Sequence, residues 1–121
     1  MKIIPLLRCP DLKQAIEFYT TVLDFKLKYP AEADNEWAID VINDEAELIL
    51  ARLDGTPRIA VYVRVDDVDA LFNKYVSRGL VVPNNPSSPV HDSPIDQTWG
   101  MREFYVNDPF GNTLRFATPI Y

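Results

Sequence analysis

Thr98-Trp99-Gly100-Met101-Arg102-Glu103-Phe104-Tyr105-Val106-Asn107-Asp108-Pro109-Phe110-Gly111-Asn112-Thr113-Leu114-Arg115-Phe116 reads as strand, tight turn, strand. Met101 to Val106 is rich in aromatic and β-prone residues. Asn107 to Asn112 concentrates turn chemistry, with Pro109 to fix φ and Gly111 or Asn112 to accept a positive one. Beyond the turn polar and apolar residues alternate. Leu114 and Phe116 therefore share one face, and Thr113, Arg115 and Ala117 the other.

Working back from this hairpin, the chain spells one unit twice. Lys2 to Cys9 reads as a strand, and Asp11 caps a helix whose apolar face is Leu12, Ala15, Ile16, Tyr19, Val22 and Leu23. Strands follow over Phe25–Tyr29, Glu36–Ile42 and Ala46–Leu53, the last two joined by the turn Asn43-Asp44-Glu45. Asp54-Gly55-Thr56-Pro57 is a break, after which the pattern restarts. Arg58–Val65 is a strand, Asp67 a cap, and Val68, Leu71, Phe72, Tyr75 and Val76 a helix face that Gly79 ends as a left-handed cap. A shift of 56 places Arg8 on Arg64, Asp11 on Asp67, Leu12 on Val68 and Tyr19 on Tyr75. The reading is an α+β fold of one domain, 1–121, with module one about 1–54 and module two about 57–121.

In the strand from Arg58, Ile59, Val61, Val63 and Val65 point one way, towards the helices, while Ala60, Tyr62 and Arg64 point towards a cleft. The matching outward set in the first strand is Ile4, Leu6 and Arg8. Val82–Gln97 carries Pro83, Pro86, Pro89 and Pro94, which forbid a helix or a central strand and leave an irregular edge strand and loop.

A chain of 121 residues with 12 basic and 18 acidic side chains has a net charge of −6. That disfavours nucleic acid and anionic membranes as partners and mildly favours a cationic ligand. No apolar run approaches the roughly 20 residues of a membrane span, and no secretory leader is apparent at the N-terminus. With Cys9 as the single cysteine, no intrachain disulfide can form, so a cytoplasmic location is expected. Only four glycines are present and none forms a phosphate-cradling loop; the single histidine, His91, has no evident triad partners.

The arrangement Trp99-Gly100-x-Arg102-Glu103-Phe104 followed by Asp108-Pro109-x-Gly111-Asn112, together with the two strand–Asp–helix openings, resembles the vicinal-oxygen-chelate superfamily. That superfamily includes glyoxalase I, extradiol dioxygenases, fosfomycin-resistance enzymes and bleomycin-resistance proteins, and the closing hairpin is most similar to the bleomycin-resistance branch. The resemblance implies two βαβββ modules whose mixed sheets curve around a cleft. It implies a homodimer, with or without strands or modules exchanged between subunits, and ligand grooves at the dimer interface. In the superfamily's enzymes a divalent metal is held by His, Glu or Gln from the first and last strand of each module. The matching positions here are Ile4, seven residues before Asp11; Ala60, seven before Asp67; Arg115, four after Gly111; and Ile49 in the first module. The expectation is therefore no metal, no cofactor and no catalytic residue. His91 is expected to be a solvated loop residue, and Cys9 a small buried hydrophobe.

Bleomycin-resistance proteins stack planar groups between aromatic rings and meet a cationic tail with carboxylates. By that resemblance the ligand-binding candidates are Trp37, Tyr62, Arg64, Trp99, Arg102, Glu103, Tyr105 and Arg115. Tyr29 and Phe104 (the latter as the alternative to Tyr105) are further aromatic candidates, and Asp34, Glu36, Asp92 and Asp96 could supply charge. Arg64 and Arg115 could instead pair with Glu103 or Glu47, or receive an anionic ligand, and the aromatic residues could serve packing alone. The function expected is small-molecule binding without a metal. The alternative is a lyase, isomerase or dioxygenase with an atypical or absent metal site; a structural or protein-interaction role is the third reading.

Overall fold

The structure, a computed structural model, describes residues 1–54 and 58–121. The first unit runs β1 (Leu6–Arg8), α1 (Leu12–Glu17) continued by a wider π turn over Phe18–Val22, β2 (Lys26–Leu27), β3 (Ala38–Asn43) and β4 (Ala46–Ala51). The second runs β5 (Ala60–Arg64), α2 (Val68–Ser77), β6 (Ile95–Asp96), β7 (Met101–Asn107) and β8 (Thr113–Pro119). Each unit builds its own four-stranded sheet, in the orders β1-β4-β3-β2 and β5-β8-β7-β6. In both, the opening strand lies parallel to the closing one and the remaining pairs are antiparallel. The α+β reading, with βαβββ written twice, is the architecture found. The repeat holds pair by pair: Leu6 faces Ile49, and Tyr62, 56 residues later, faces Arg115.

Local chemistry sets the boundaries. The carboxylates of Asp11 and Asp67 accept from the free backbone N–H groups of Gln14 and Ala70, capping both helices. Gly79 follows α2 at φ +105°, a conformation other residues avoid. The strands are shorter than the sequence pattern suggests. Pro5 and Pro10, which have no N–H, bracket β1. Pro30 opens a 3-10 turn that ends the β2 segment. The Asn35 side chain takes the N–H groups of Trp37 and Ala38, so β3 starts at Ala38 rather than Glu36. The break expected at 54–57 lies mostly outside the described residues. The proline-rich stretch forms a 3-10 turn at Pro89–His91 and the short strand β6, which pairs only with β7 at the sheet edge.

One hydrophobic core joins the two units. Leu7, Leu12, Ala15, Tyr19, Leu48 and Leu50 from the first meet Val68, Tyr75, Phe104, Leu114 and Phe116 from the second in one buried cluster. Phe104 stacks on Phe116 at 5.1 Å between ring centroids, and Tyr75 meets Phe116 edge-on at 5.4 Å. Along β5 and its flanking residues, Ile59, Val61, Val63 and Val65 pack against this core while Ala60, Tyr62 and Arg64 are exposed, the two faces that alternation requires.

The polar seam between units centres on Asp108, which is 4% exposed. Its Oδ2 accepts from the Tyr19 hydroxyl at 2.9 Å and from Asn112 Nδ2 at 2.9 Å; its Oδ1 accepts from the backbone N–H groups of Phe110 and Asn112. Asn112 Nδ2 also donates to the Arg8 carbonyl at 3.0 Å, and its Oδ1 accepts from Ile59 N at 3.2 Å. Gly111 holds the turn at φ +89°, where an added Cβ would strike the Arg58 side chain. On the helix side, Lys74 of α2 and Arg78 just after it pair with Asp24, and Arg78 donates to the Thr20 carbonyl at 3.1 Å.

Tyr19→Phe removes one buried hydrogen bond, with an expected loss of about 1–2 kcal/mol in denaturant unfolding. Asp108→Ala strands several buried donors at once, with an expected loss of about 3 kcal/mol or more. The double variant is expected to fall short of the sum, because both changes break the same bond.

Candidate functional site

The face of the second sheet turned away from the helices carries three rows of side chains, fixed by register. Tyr62, Arg115 and Tyr105 form one row across β5, β8 and β7. Arg64, Ala117 and Glu103 form the next, and Ala60, Thr113 and Asn107 lie on the other side. Because Ala117 is small, Arg115 can lean diagonally across the sheet towards Glu103.

Glu103 is completely buried, and four side chains converge on it. Its Oε2 accepts from the Tyr62 hydroxyl at 2.5 Å and from Trp99 Nε1 at 2.9 Å; its Oε1 accepts from the Tyr105 hydroxyl at 3.1 Å and from Arg115 Nη2 at 3.0 Å. The Arg115 guanidinium also lies over both tyrosine rings, 4.6 Å from the centroid of Tyr105 and 5.3 Å from that of Tyr62. Among the described residues Arg115 Nε is sealed and without a partner. Burial acts to raise the Glu103 pKa, but the donors from Tyr62, Trp99, Arg115 and Tyr105 outweigh it and hold the group below the ordinary carboxylate range. Burial, followed by contact with that carboxylate, pushes both tyrosine hydroxyls above their usual value. The result is a carboxylate whose lone pairs are engaged and whose proton affinity is low. It suits the role of a pin for aromatic rings better than that of a proton acceptor. Trp99 and Tyr62 nevertheless remain half exposed, at 56% and 46%, so the rings present faces to solvent while their polar ends are held.

The structure thus brings Tyr62, Trp99, Glu103, Tyr105 and Arg115 together, with Arg64 beside Tyr62 on the same face. It separates Arg102 and Trp37 from them. Arg102 lies on the helix side of β7, where its guanidinium makes a two-pronged pair with Asp69 at 2.9 and 3.0 Å and another with Asp96 at 3.0 Å. Trp37, 67% exposed, lies just before β3 of the other sheet, against the Arg52 guanidinium 4.5 Å from its ring. Phe104 belongs to the core. Glu47 takes no arginine; it accepts from Lys2 at 2.8 Å and Lys28 at 3.0 Å. Asp34 and Glu36 line a groove of about 750 Å³ with Asp11, Lys13 and Arg52, whereas Asp96 is occupied by Arg102.

Sequence reasoning missed Arg52 and the small cluster around His91. His91 stays in the proline-rich connector, partly buried, and makes local contacts there: its Nδ1 lies 2.6 Å from Ser88 Oγ, its Nε2 lies 3.4 Å from Asn107 Oδ1, and its ring stands edge-on to Tyr105 at 5.7 Å. The signal available for it was the parity of Asn107 with Tyr105. Cys9 is fully buried, and burial together with nearby Asp108 pushes its thiol up to about 12, which leaves it unreactive.

The metal positions of the superfamily do not fit a metal in this chain. Register makes Ile49 and Arg115 equivalent, each facing the residue of its opening strand that the 56-residue shift relates, Leu6 and Tyr62. Ile4, Ile49 and Ala60 carry no donor, and Arg115 is a bound cation. Among the described residues no group of three His, Cys, Asp or Glu side chains is placed to hold an ion.

Comparison with known proteins agrees with this architecture. An uncharacterized protein of Mycobacterium bovis is 28% identical over 96% of this chain and 82% of its own length. The crystal structure of a bleomycin resistance determinant encoded on the transposon Tn5 superposes with a TM-score of 0.79 at 18% identity, covering 100% of this chain and 99% of that one. A bleomycin-binding protein complexed with bleomycin gives 0.75 at 19% identity, covering 98% of each chain. The family model for the Glyoxalase/Bleomycin resistance protein/Dioxygenase superfamily matches residues 4–116, and with the paired βαβββ units already in view, the chain belongs to that superfamily.

Proposed function

We propose that this protein binds and sequesters an aromatic, cationic small molecule without a metal, in a groove formed where two copies of the chain meet. The observation that carries the reading is the frame around Glu103: three aromatic side chains are held rigid at their polar ends, and two of them remain half open to solvent. Rings fixed in this way lose little entropy when a planar group stacks on them. Arg115 is neutralised by Glu103, so the frame itself carries no net charge. Asp34 and Glu36 beside Trp37 are the carboxylates proposed to meet the cationic part.

A dimer is supported by what one chain leaves uncovered. Leu6, Trp37, Tyr62 and Trp99 are 44%, 67%, 46% and 56% exposed. The frame also lines neither of the two larger depressions of the single chain, which suits a groove completed by a second copy. Catalysis by Glu103 is disfavoured by its engaged lone pairs and lowered pKa. A cytoplasmic location accords with the free thiol of Cys9.

Tryptophan emission should change saturably when the purified protein is titrated with planar cations, bleomycin among them, and Trp99→Ala should weaken binding about tenfold. Flat titrations across such a panel would sink the reading. Sedimentation equilibrium is expected to return twice the chain mass. Glu103→Gln leaves the charge of Arg115 uncompensated in the frame. Affinity for planar cations is then expected to fall by about tenfold or more while that for matched planar anions rises. Equal effects on both classes would show that Glu103 acts on shape alone.

A further inference from the structure

The proline-rich connector between α2 and β6 supplies no side chain to the Glu103 frame, yet it packs against the frame's edge. His91, in the 3-10 turn Pro89–His91, stands edge-on to the Tyr105 ring at 5.7 Å. The connector is held in shape by its own sequence. Pro83, Pro86 and Pro89 fix φ, Asp92 Oδ1 accepts from Asn85 N at 3.2 Å, and Asn85 Oδ1 accepts from Ser87 N at 3.1 Å.

From this connector a chain of hydrogen bonds runs onto the sheet and ends at Asn107. Its Oδ1 can only accept. The His91 ring proton therefore sits on Nε2, 3.4 Å from that oxygen, and Ser88 Oγ donates to Nδ1 at 2.6 Å. Thr113 Oγ1 donates to the same Oδ1 at 2.9 Å. The acceptor side of the Asn107 amide is thus taken twice, once by its own sheet and once by the connector. Its Nδ2 donates to nothing among the described residues, and the side chain is exposed. Strand parity puts Asn107 on the face that carries Glu103 and Tyr105, about 7 Å beyond Tyr105 along β7. It belongs to the row Ala60, Thr113 and Asn107, next to the row of Tyr62, Arg115 and Tyr105. Ala60, also exposed, is too small to screen that row.

We infer that Asn107 is a specificity-determining residue of the groove and that His91 is its positioning residue. The ligand stacked on the frame carries a hydrogen-bond acceptor of the carbonyl class, one substituent's reach beyond its ring, and Asn107 Nδ2 donates to it. The inference rests on the binding reading above and narrows its ligand to planar cations with an acceptor at one edge. It also gives the connector a part in recognition, because His91 and Ser88 hold the amide with its donors free.

Calorimetric titration of the whole chain with 1-methylquinolinium and with 3-acetyl-1-methylquinolinium tests it. The two probes share ring and charge and differ by one carbonyl. The readout is the ratio of their Kd values, which a general loosening of the frame leaves alone. The acetyl compound is expected to bind about fivefold more tightly to the native chain. Asn107→Ala should bring the ratio to about one, and Asn107→Asp, of the same shape but without a donor, should reverse the preference. His91→Phe keeps a ring beside Tyr105 but releases the amide, and should cut the preference to about twofold. Equal binding of the two probes by the native chain would overturn the inference and leave the binding reading standing. So would a preference that survives Asn107→Ala. A preference untouched by His91→Phe would remove His91 from the assignment. No saturable heat from either probe up to about 10 mM would overturn both the inference and the reading beneath it.

Discussion

The two units share one interior because a buried carboxylate in the β7–β8 turn, Asp108, binds the helix of the other unit. A carboxylate removed from water is costly unless its oxygens are fully engaged. Here the turn supplies the Phe110 and Asn112 N–H groups, and Tyr19 supplies a hydroxyl from across the seam. Asn112 then ties the same turn to the Arg8 carbonyl and the Ile59 N–H, one at the end of each unit's opening strand region. Pro109 and the left-handed Gly111 give the loop the shape that aims those donors inward. Placement of α1, β1 and β5 around the common core follows from this knot.

Glu103 repeats the same physics on the opposite face of the strand that leads into that turn. It too is sealed and engaged by four donors, but these come from side chains that reach solvent. A carboxylate held this way fixes ring orientation, because moving any one ring leaves buried charge unpaired. Asp108 spends its lone pairs on joining modules, whereas Glu103 spends them on presenting a surface. The pair shows how one chemical device ties the modules together in one place and fixes half-exposed rings in another.

Much of this was legible in the sequence because it follows from short-range rules. The Asp11 and Asp67 caps, the alternation along β5, the turn at Asp108 to Asn112 and the 56-residue repeat depend on neighbours within a few positions. Strand parity also contained a warning. Arg102 and Glu103 are adjacent in a strand and cannot face the same cleft, and Phe104 and Tyr105 likewise must part. Arg102 and Phe104 accordingly lie on the helix side, the one paired with Asp69 and the other in the core. The choice of Glu103 over Glu47 as the partner of Arg115 was not legible, because it depends on how β7 and β8 register. Nor was the stacking of Arg52 on Trp37, which joins residues on separate strands through a contact that no local pattern encodes.

The repeat is most informative where its two copies disagree. The row Tyr62, Arg115 and Tyr105 of the second sheet corresponds by register to Leu6, Ile49 and Asp40 of the first, and Glu103 corresponds to Ala38. One copy of these rows is aromatic around a buried ion pair; the other has no aromatic ring and sets Asp40 and Arg8 beside Leu6 and Ile49. Backbone pairing is the same in both, so folding alone does not call for the difference. In a groove that joins the first sheet of one chain to the second sheet of another, each wall would meet its opposite. A planar ligand would have rings and a buried ion pair on one side, and Leu6 and Ile49 with the Asp40 carboxylate beside them on the other. Such a groove selects orientation as well as shape, because only one way round leaves no polar group of the ligand against Leu6 and Ile49.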